Sequence, residues 1–330
     1  MPEVTLIVLT YNSVSKLGNI FDKAVSSFLN QEGVDYKLIF VDNSSSDRTV
    51  EYLKRTCRVN CGILRLSKNY GWSGANNRAS VLVKDSEFLF FLNDDVILAR
   101  DTTKKLTEFC RANPDVGAVQ PVIIDKSGVR IYGYDVGLSG LAHYVTKPRG
   151  SPFSESFYVE GSALFTPAKV FFEVGMFPES FFLYYDDVDY CWRLRLAGYK
   201  AGCLTTTWAY HYRSATFGER SPIFFYLNTR NRIWSICANS GMFTLPIRLY
   251  LNTIYISRCL VTERSSVIVK SIIKGSIDGL RGLKIAFSKR ILTQSLRKVS
   301  EGKINNAMNV YIDINLLFPR RLRRRLGVSW

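Results

Sequence analysis

The chain lacks the usual signatures of a nucleotide-binding sequence. No Gly-x-Gly-x-x-Gly follows the first apolar run and no Gly-x4-Gly-Lys-Ser/Thr occurs, so neither a dinucleotide site nor a P-loop is indicated. Its seven cysteines are odd in number and contain no Cys-x2-Cys, which argues against a disulfide framework and a structural zinc site. Cys57 and Cys61, the nearest pair, are expected as buried thiols. The opening MPEVTLIVLTYNS has no basic leader region and turns polar at Thr10, so it reads as a first core strand rather than a signal peptide and places the protein in the cytoplasm. A long apolar run is also missing. Between Asn239 and Thr262, Arg248 and Arg258 interrupt the hydrophobic residues and Gly241 and Pro246 break them further, whereas a bilayer span needs about 20 largely apolar residues.

Acid is scarce in one region only. The formal charge of the 330 residues is +16, yet residues 1–220 hold 25 Lys and Arg against 24 Asp and Glu, while residues 221–330 hold 19 against 4. With 47% hydrophobic and 13% aromatic residues the chain can bury a sizeable core, enough for one large α/β domain and an appendage. The expected division is a near-neutral domain over 1–220, with a nucleotide-binding part near 1–100 and an acceptor part near 101–220, followed by a basic, mainly helical region over 221–330.

The first half alternates strand and helix patterns. Val4–Leu9, Lys37–Val41, Ile63–Leu66 and Phe88–Leu92 are short apolar runs of the kind buried in parallel sheets, and helical stretches lie near Leu17–Leu29, Thr49–Lys54 and Ala75–Val83. In a doubly wound sheet the ligand sits beyond the carboxyl ends of the strands. There the sequence has Thr10-Tyr11-Asn12, Asp42-Asn43-Ser44-Ser45-Ser46-Asp47, Asn69-Tyr70-Gly71-Trp72-Ser73-Gly74 and Asn93-Asp94-Asp95. Each alone makes turns and N-caps, and Asp47 is assigned to a cap; four in register point to a ligand. Asp42 can accept from a nucleobase N–H, and the Asn-rich glycine loop lets backbone and amides approach a ribose or phosphate. Acids on a tight turn can hold a divalent cation whose remaining positions go to water and phosphate oxygens.

The stretch Phe181–Tyr212 carries the strongest chemistry. Asp186, Asp187 and Asp189 follow Phe181-Phe182-Leu183-Tyr184-Tyr185 and lead into a helix with Val188, Cys191, Trp192, Leu194 and Leu196 on one face and Arg193 and Arg195 expected in solvent. Asp189 reads as a helix-start acid. Asp186 and Asp187 repel each other and lose hydration together, so at least one of them is expected to have a perturbed pKa suited to a general base. Of two histidines, His143 reads as a packed residue, and His211 follows the apolar strand Ala201–Leu204 that continues to Trp208.

Several of these segments in order resemble the family 2 glycosyltransferases of GT-A fold, particularly the rhamnosyltransferase-like and galactofuranosyltransferase-like members. VTLIVLTYNS resembles the opening strand, LIFVDNSSSDRT the base-contacting strand, LSKNYGWSGANNRA the loop around the nucleotide and FLNDDV the metal motif. EGSALFTPAKVFFEVGMFPESFFLYYDDVDYCWRLRLAGYK resembles the acceptor-side segment with the catalytic acid. The resemblance covers roughly residues 3–235. It implies a Rossmann-like mixed sheet flanked by helices, with Asp187 as the base beside Asp186. Thr10, Tyr11, Asn12, Asp42, Asn69, Gly74, Asn77 and Asp94 would lie around the nucleotide, and Asp95 and His211 would hold Mg²⁺ or Mn²⁺. Asn93 stands where many members have Asp, and Asp186-Asp187 where Glu-Asp is commoner. No Gln-x-x-Arg-Trp, the mark of processive members, is present, so one sugar per encounter is expected.

The reading is an inverting, metal-dependent enzyme that moves one sugar from a UDP-, dTDP- or GDP-linked donor to a hydroxyl of a lipid-linked or cell-surface glycan. A sugar nucleotidyltransferase would share strand order and metal use but should open with a Gly-rich, Arg-containing phosphate loop. An inactive module that binds membrane or nucleic acid through its tail is the other alternative. In that tail Val269, Ile272, Ile273, Ile277, Leu280, Leu283 and Phe287 recur at helical spacing with Lys270, Lys274, Arg281 and Lys284 on other sides, and the chain closes with PRRLRRRLGVSW. A basic amphipathic helix with terminal arginines favours an anionic membrane surface over nucleic acid. The expected location is peripheral, on the inner face of the cell membrane.

Overall fold

The computed structural model describes residues 2–57, 61–213 and 221–317. Its chain forms two compact units, Met1–Tyr134 with Tyr144–Glu219, and Asp135–His143 with Arg220–Trp330.

The first unit opens as the apolar runs require. Strands β1 (Val4–Thr10), β2 (Tyr36–Asp42), β3 (Cys61–Arg65) and β4 (Phe88–Asn93) are parallel and lie in the order β3-β2-β1-β4. Leu6, Ile7, Val8, Phe40, Phe90 and Phe91 are fully buried, which a strand covered on both faces by helices demands. Helices α1 (Ser13–Leu17), α2 (Asn19–Leu29), α3 (Thr49–Thr56) and α4 (Gly71–Leu82) make the connections. The register sets Thr10 opposite Asp42, Asp42 opposite Arg65 and Leu9 opposite Asn93, so the polar residues after the strands share one edge. Two expectations change. Helix α4 starts at Gly71, earlier than the sequence suggests, so the expected glycine loop is partly a first helical turn. Cys57 and Cys61 are joined as a disulfide rather than buried as thiols, their Cα atoms standing 5.3 Å apart, within bridging range.

The sheet then turns mixed. After β5 (Val96–Leu98) and α5 (Thr102–Ala112) come β6 (Val116–Asp125), β7 (Arg130–Ile131), β8 (Tyr134–Val136), β9 (Ala142–Tyr144), β10 (Phe153–Glu155), β11 (Ala163–Pro167), α6 (Ala168–Glu173), α7 (Asp186–Leu196) and β12 (Lys200–His211). Strand β11 runs antiparallel between β4 and β6, β12 lies parallel to β6, and β5 pairs antiparallel with the far end of β12. That last pairing sets His211 opposite Val96, next in the chain to Asp95. The outcome is the mixed, helix-flanked sheet that the resemblance implied.

The second unit contains α8 (Pro222–Asn239), α9 (Leu245–Thr262), α10 (Ser266–Arg281), α11 (Leu283–Ser295), α12 (Glu301–Ala307) and α13 (Val310–Leu317). Ser221 caps α8 by accepting from Phe224 N–H at 3.3 Å, with Pro222 in its first turn. Helix α10 lies on α8 through glycines: a Cβ on Gly275 would stand 2.5 Å from the Tyr226 carbonyl oxygen and one on Gly279 2.8 Å from Ile233. The inward face of α10 is therefore Ile268, Ile272, Gly275 and Gly279, and Ile273, Ile277 and Leu280 point outward, which corrects the sequence reading of one continuous apolar face. No helix among the described residues is long and apolar enough to cross a membrane. The terminal arginines of PRRLRRRLGVSW lie outside the described residues.

Candidate active site

The first group of residues gathers at the ends of β1 and β2. Asp42 is fully buried; its Oδ2 accepts from Ser45 N–H at 3.1 Å with Arg65 Nε at 3.7 Å. Its Oδ1 is buried with no hydrogen-bond partner among the described residues, an acceptor costly to leave unmet unless a ligand supplies the donor. Asn12, left-handed at φ 54°, stitches the neighbouring loops: its N–H donates to Ser45 Oγ at 2.9 Å and its Oδ1 accepts from Ser46 N–H at 2.8 Å. The Thr10 carbonyl accepts from Asn43 N–H at 2.9 Å, and Tyr11 carries Lys16 4.3 Å from its ring centre. Asn43 donates to Asn69 Oδ1 at 2.9 Å, and the same Asn69 oxygen accepts from Gly71 N–H at 2.8 Å. Asn69 thus shapes the entry to α4. Gly74 sits in the first turn of that helix. The Asn77 amide is spent on Phe177, accepting from its N–H at 3.1 Å and donating to its carbonyl at 2.9 Å.

The second group forms at the end of β4. Asn93 Oδ1 accepts from the Trp72 indole at 3.0 Å, so the residue that departs from the metal motif holds an aromatic ring instead. Asp94 accepts from the Ser13 hydroxyl, and burial together with the Asp95 charge pushes its carboxyl up to about 7. Asp95 is buried, with Oδ1 3.2 Å from His211 Nε2. The other imidazole nitrogen, Nδ1, lies 2.9 Å from Glu160 Oε1. Burial disfavours charge on His211, but Asp95 and Glu160 outweigh it and raise the imidazole to about 9. Glu160 is the hub the sequence reading missed: buried, it also accepts from Ser162, Tyr134 and Arg213, and its own N–H donates to Gln120 Oε1 at 2.9 Å. Burial opposes its ionisation, yet Arg213 and His211 hold its carboxyl well below the usual carboxylate range. The available signal was an acid directly before Gly161 and the buried run of β11.

The third group is the acid pair at the start of α7. Asp187 accepts from Gly161 N–H at 3.1 Å and from Val188 N–H at 2.8 Å; Asp186 accepts from Ser73 Oγ at 2.8 Å. Burial, then the Asp186 charge, pushes Asp187 up to about 7, and burial pushes Asp186 up to about 6. Consecutive residues Glu160 and Gly161 therefore tie the His211–Asp95 pair to the Asp187 carboxylate.

Helix α7 is held by the two arginines expected in solvent, and both are buried. Arg193 pairs with Asp189 at 2.9 Å and donates to the carbonyls of Val174 and Met176; Arg195 donates to Phe157 and Ser156 carbonyls and meets Glu155 at 3.1 Å. Asp189 thus serves the helix as an i,i+4 partner rather than joining the acid pair. The reason for the difference is that protein surrounds α7 on nearly all sides, and its arginines satisfy loop carbonyls that water cannot reach.

Comparison with known proteins gives a family match and likenesses of fold. Residues 5–170 match the model for glycosyl transferase family 2. The low-salt glycan biosynthesis hexosyltransferase Agl10 of Haloferax volcanii is 24% identical over 265 residues, 75% of this chain and 78% of its own. The rhamnosyltransferase WbbL of Escherichia coli K12 is 28% identical over 204 residues, 56% of this chain and 75% of its own. Among solved structures, GalNAc-T7 with UDP, GalNAc and Mn²⁺ superposes with a TM-score of 0.63 at 13% identity, over 88% of this chain and 57% of that one, a likeness of fold. The chain belongs to glycosyl transferase family 2 and is a glycosyltransferase of GT-A fold.

Proposed function

We propose that the enzyme inverts the anomeric centre in a single displacement, moving one hexosyl or deoxyhexosyl unit from a nucleoside-diphosphate sugar to a hydroxyl of a lipid-linked or cell-surface glycan at the cytoplasmic face of a membrane. The observation that carries this reading is the Glu160-Gly161 link: one peptide orders His211 beside Asp95 and donates a hydrogen bond to Asp187. A base and an anion-facing pair so joined suit attack at one side of a sugar carbon and departure of diphosphate at the other.

Each residue then has a task. Asp187 accepts the proton of the acceptor hydroxyl as its oxygen bonds the anomeric carbon, while the bond from that carbon to the diphosphate oxygen breaks and its electrons leave with the nucleoside diphosphate. Asp186, fixed by Ser73, keeps Asp187 basic by adding negative charge. The unmet Asp42 Oδ1 accepts from the nucleobase, with Thr10, Tyr11, Asn12, Asn69, Gly74 and Asp94 around the nucleotide; Asn77 orders Phe177 and the loop that leads to the acids.

The chemistry of the donor set fits a divalent cation. Among the described residues no group of three or more His, Cys, Asp or Glu is arranged to hold a metal, but Asp95 Oδ1 and His211 Nε2 face each other at 3.2 Å. With Nδ1–H held by Glu160, His211 would offer Nε2 to a cation that displaced its proton, and Asp95 and His211 would hold Mg²⁺ or Mn²⁺ with phosphate and water as the remaining ligands. When bound, the cation would supply positive charge for the departing diphosphate. The GalNAc-T7 structure contains UDP and Mn²⁺, which supports the assignment. The test is incubation with UDP-, dTDP- and GDP-sugars and Mn²⁺. Slow hydrolysis of one donor, abolished by chelator and by Asp95→Ala, is the expected result; hydrolysis of none, or full activity in chelator, overturns it.

A further inference from the structure

The second unit carries an outward face that the chemistry above does not use. Along α10 the exposed residues after Ser266 are Val267, Lys270, Ile273, Lys274, Ile277, Leu280 and Arg281. At 3.6 residues per turn Ile273, Ile277 and Leu280 fall on one ridge, and Lys270, Lys274 and Arg281 fall on a parallel row roughly 70° round the helix axis. Leu280 is 61% exposed, and Ile273 and Ile277 are each 42% exposed. The same character continues into α11, where Lys284, Ile285, Phe287, Ile291 and Leu292 are exposed. Helix α10 does not need this ridge to pack, because Ile268, Ile272, Gly275 and Gly279 already bury its other side.

Three of the four acids of residues 221–330 are occupied away from this face. Glu301 pairs with Arg248 and Arg297 at 3.1 and 2.8 Å, Asp313 accepts from Leu138 and Ser139 N–H, and Glu263 accepts from Ser265 N–H at 3.0 Å. Asp278 accepts from the Tyr226 hydroxyl at 2.9 Å, with Arg281 at 3.9 Å. A surface that displays aliphatic groups and cations together, while its acids turn inward, matches a sheet of lipid whose headgroups are negative and whose interior is apolar. Water alone would favour the cations but not the ridge. A protein groove would be served by the ridge but would not ask for a row of lysines beside it.

We propose that the outward face of α10 is the bilayer contact of the enzyme, with Ile273, Ile277 and Leu280 entering below the headgroups and Lys270, Lys274 and Arg281 at the level of anionic phosphate. The proposal deepens the membrane location given above and is independent of the transfer chemistry. It assigns the attachment to α10, whatever the terminal arginines add.

The experiment is vesicle flotation of the full chain with phosphatidylcholine alone and with phosphatidylcholine carrying phosphatidylglycerol as the anionic lipid. The parent is expected to float with the anionic vesicles. Lys270→Gln, Lys274→Gln and Arg281→Gln together should weaken that binding about a hundredfold, at about fivefold per cation. Ile273→Asn with Ile277→Asn should remove the part of the binding that survives high salt, since burial of apolar groups is not screened. Donor hydrolysis in lipid-free buffer should stay at parental rate in both variants, which shows that the fold and the catalytic reading stand whichever way flotation falls. Binding within twofold of the parent in either variant overturns the proposal. So does an absence of vesicle binding accompanied by self-association that Ile277→Asn abolishes, which assigns the face to a second copy, or by salt-sensitive retention of duplex DNA, which assigns it to nucleic acid.

Discussion

Replacing Asp187 by Asn separates basicity from shape, because the amide oxygen can still accept from Gly161 N–H, which now stands 3.1 Å from the carboxylate. Turnover should fall about 10²–10⁴-fold, the usual scale for a general base, with little change in donor binding. The same substitution has a second consequence with its own sign. Burial and Asp186 raise the Asp187 carboxyl from 3.8 to about 7, so the folded state binds protons more tightly than the unfolded state. Stability is therefore lost as pH rises through that interval. Three pH units of unfavourable ionisation would cost about 4 kcal/mol. Because Asp186 shares the site and water reaches the part-exposed Asp187 carboxylate, a single neutralisation should recover only about 1–2 kcal/mol. The variant should accordingly melt about 2–6 °C above the parent at pH 8, with the gap closing towards pH 4 as the parent takes up its proton. Scanning calorimetry across pH, paired with donor and acceptor turnover, tests both parts. Turnover near the parent's removes Asp187 from the chemistry and passes the role to Asp186; a melting gap that does not depend on pH refutes the account of its buried charge.

Three further outcomes follow from named contacts. Gly71 has φ +73° and a Cβ there would collide with the Phe182 carbonyl oxygen, so Gly71→Ala should destabilise by about 2–4 kcal/mol, read in denaturant titration; a loss under 0.5 kcal/mol would show that the loop before the acids moves freely. Glu160→Gln removes the charge facing His211 Nδ1 and should weaken Mn²⁺-dependent binding of nucleoside diphosphate about 10–100-fold by calorimetry, while metal-free binding stays as it was. Unchanged Mn²⁺ dependence would return Glu160 to a purely structural part. Removing residues 319–330, with their five arginines, should reduce sedimentation with anionic vesicles and leave donor hydrolysis intact; loss of hydrolysis would tie the terminus to the catalytic unit.

The strand ends were legible because a strand buried on both faces must be continuously apolar, so the first polar residue after it marks the sheet edge. Thr10, Asp42 and Asn93 each stand at that change, and all three lie on one edge. The acid pair was legible for a related reason, since two adjacent carboxylates after five apolar or aromatic residues have no cheap explanation as surface. Glu160 was not, because its meeting with His211 depends on the pairing of β12 with β5 and β6, which includes a register shift between Leu204 and Trp208 that periodicity does not reveal. Arg193 and Arg195 misled because charge on a helix usually marks its wet side; here backbone carbonyls take the place of water. In α10 the buried face was hidden by its own chemistry. Gly275 and Gly279 make the contact through the absence of a side chain, so hydrophobicity assigned the face to the isoleucines that in fact point outward.

The buried arginine and Asn77 acquire a purpose once the loop between them is considered as a unit. Phe182, Tyr184 and Tyr185 all have positive φ, at 68°, 65° and 68°, a conformation that costs a bulky residue about 1–2 kcal/mol each. Left alone, the segment would relax and carry Asp186 and Asp187 with it. It is pinned at its start and at Phe182. Asn77 holds Phe177 through two hydrogen bonds, Trp72 N–H donates to the Phe182 carbonyl at 2.6 Å, and Arg193 reaches back from α7 to the carbonyls of Val174 and Met176. The close Phe182 approach is also what requires glycine at 71. Sequence-distant polar residues on α4 and α7 thus converge on one short loop, and their common effect is to hold the first turn of α7 with Asp187 on the Gly161 N–H, one residue from the glutamate that orders His211.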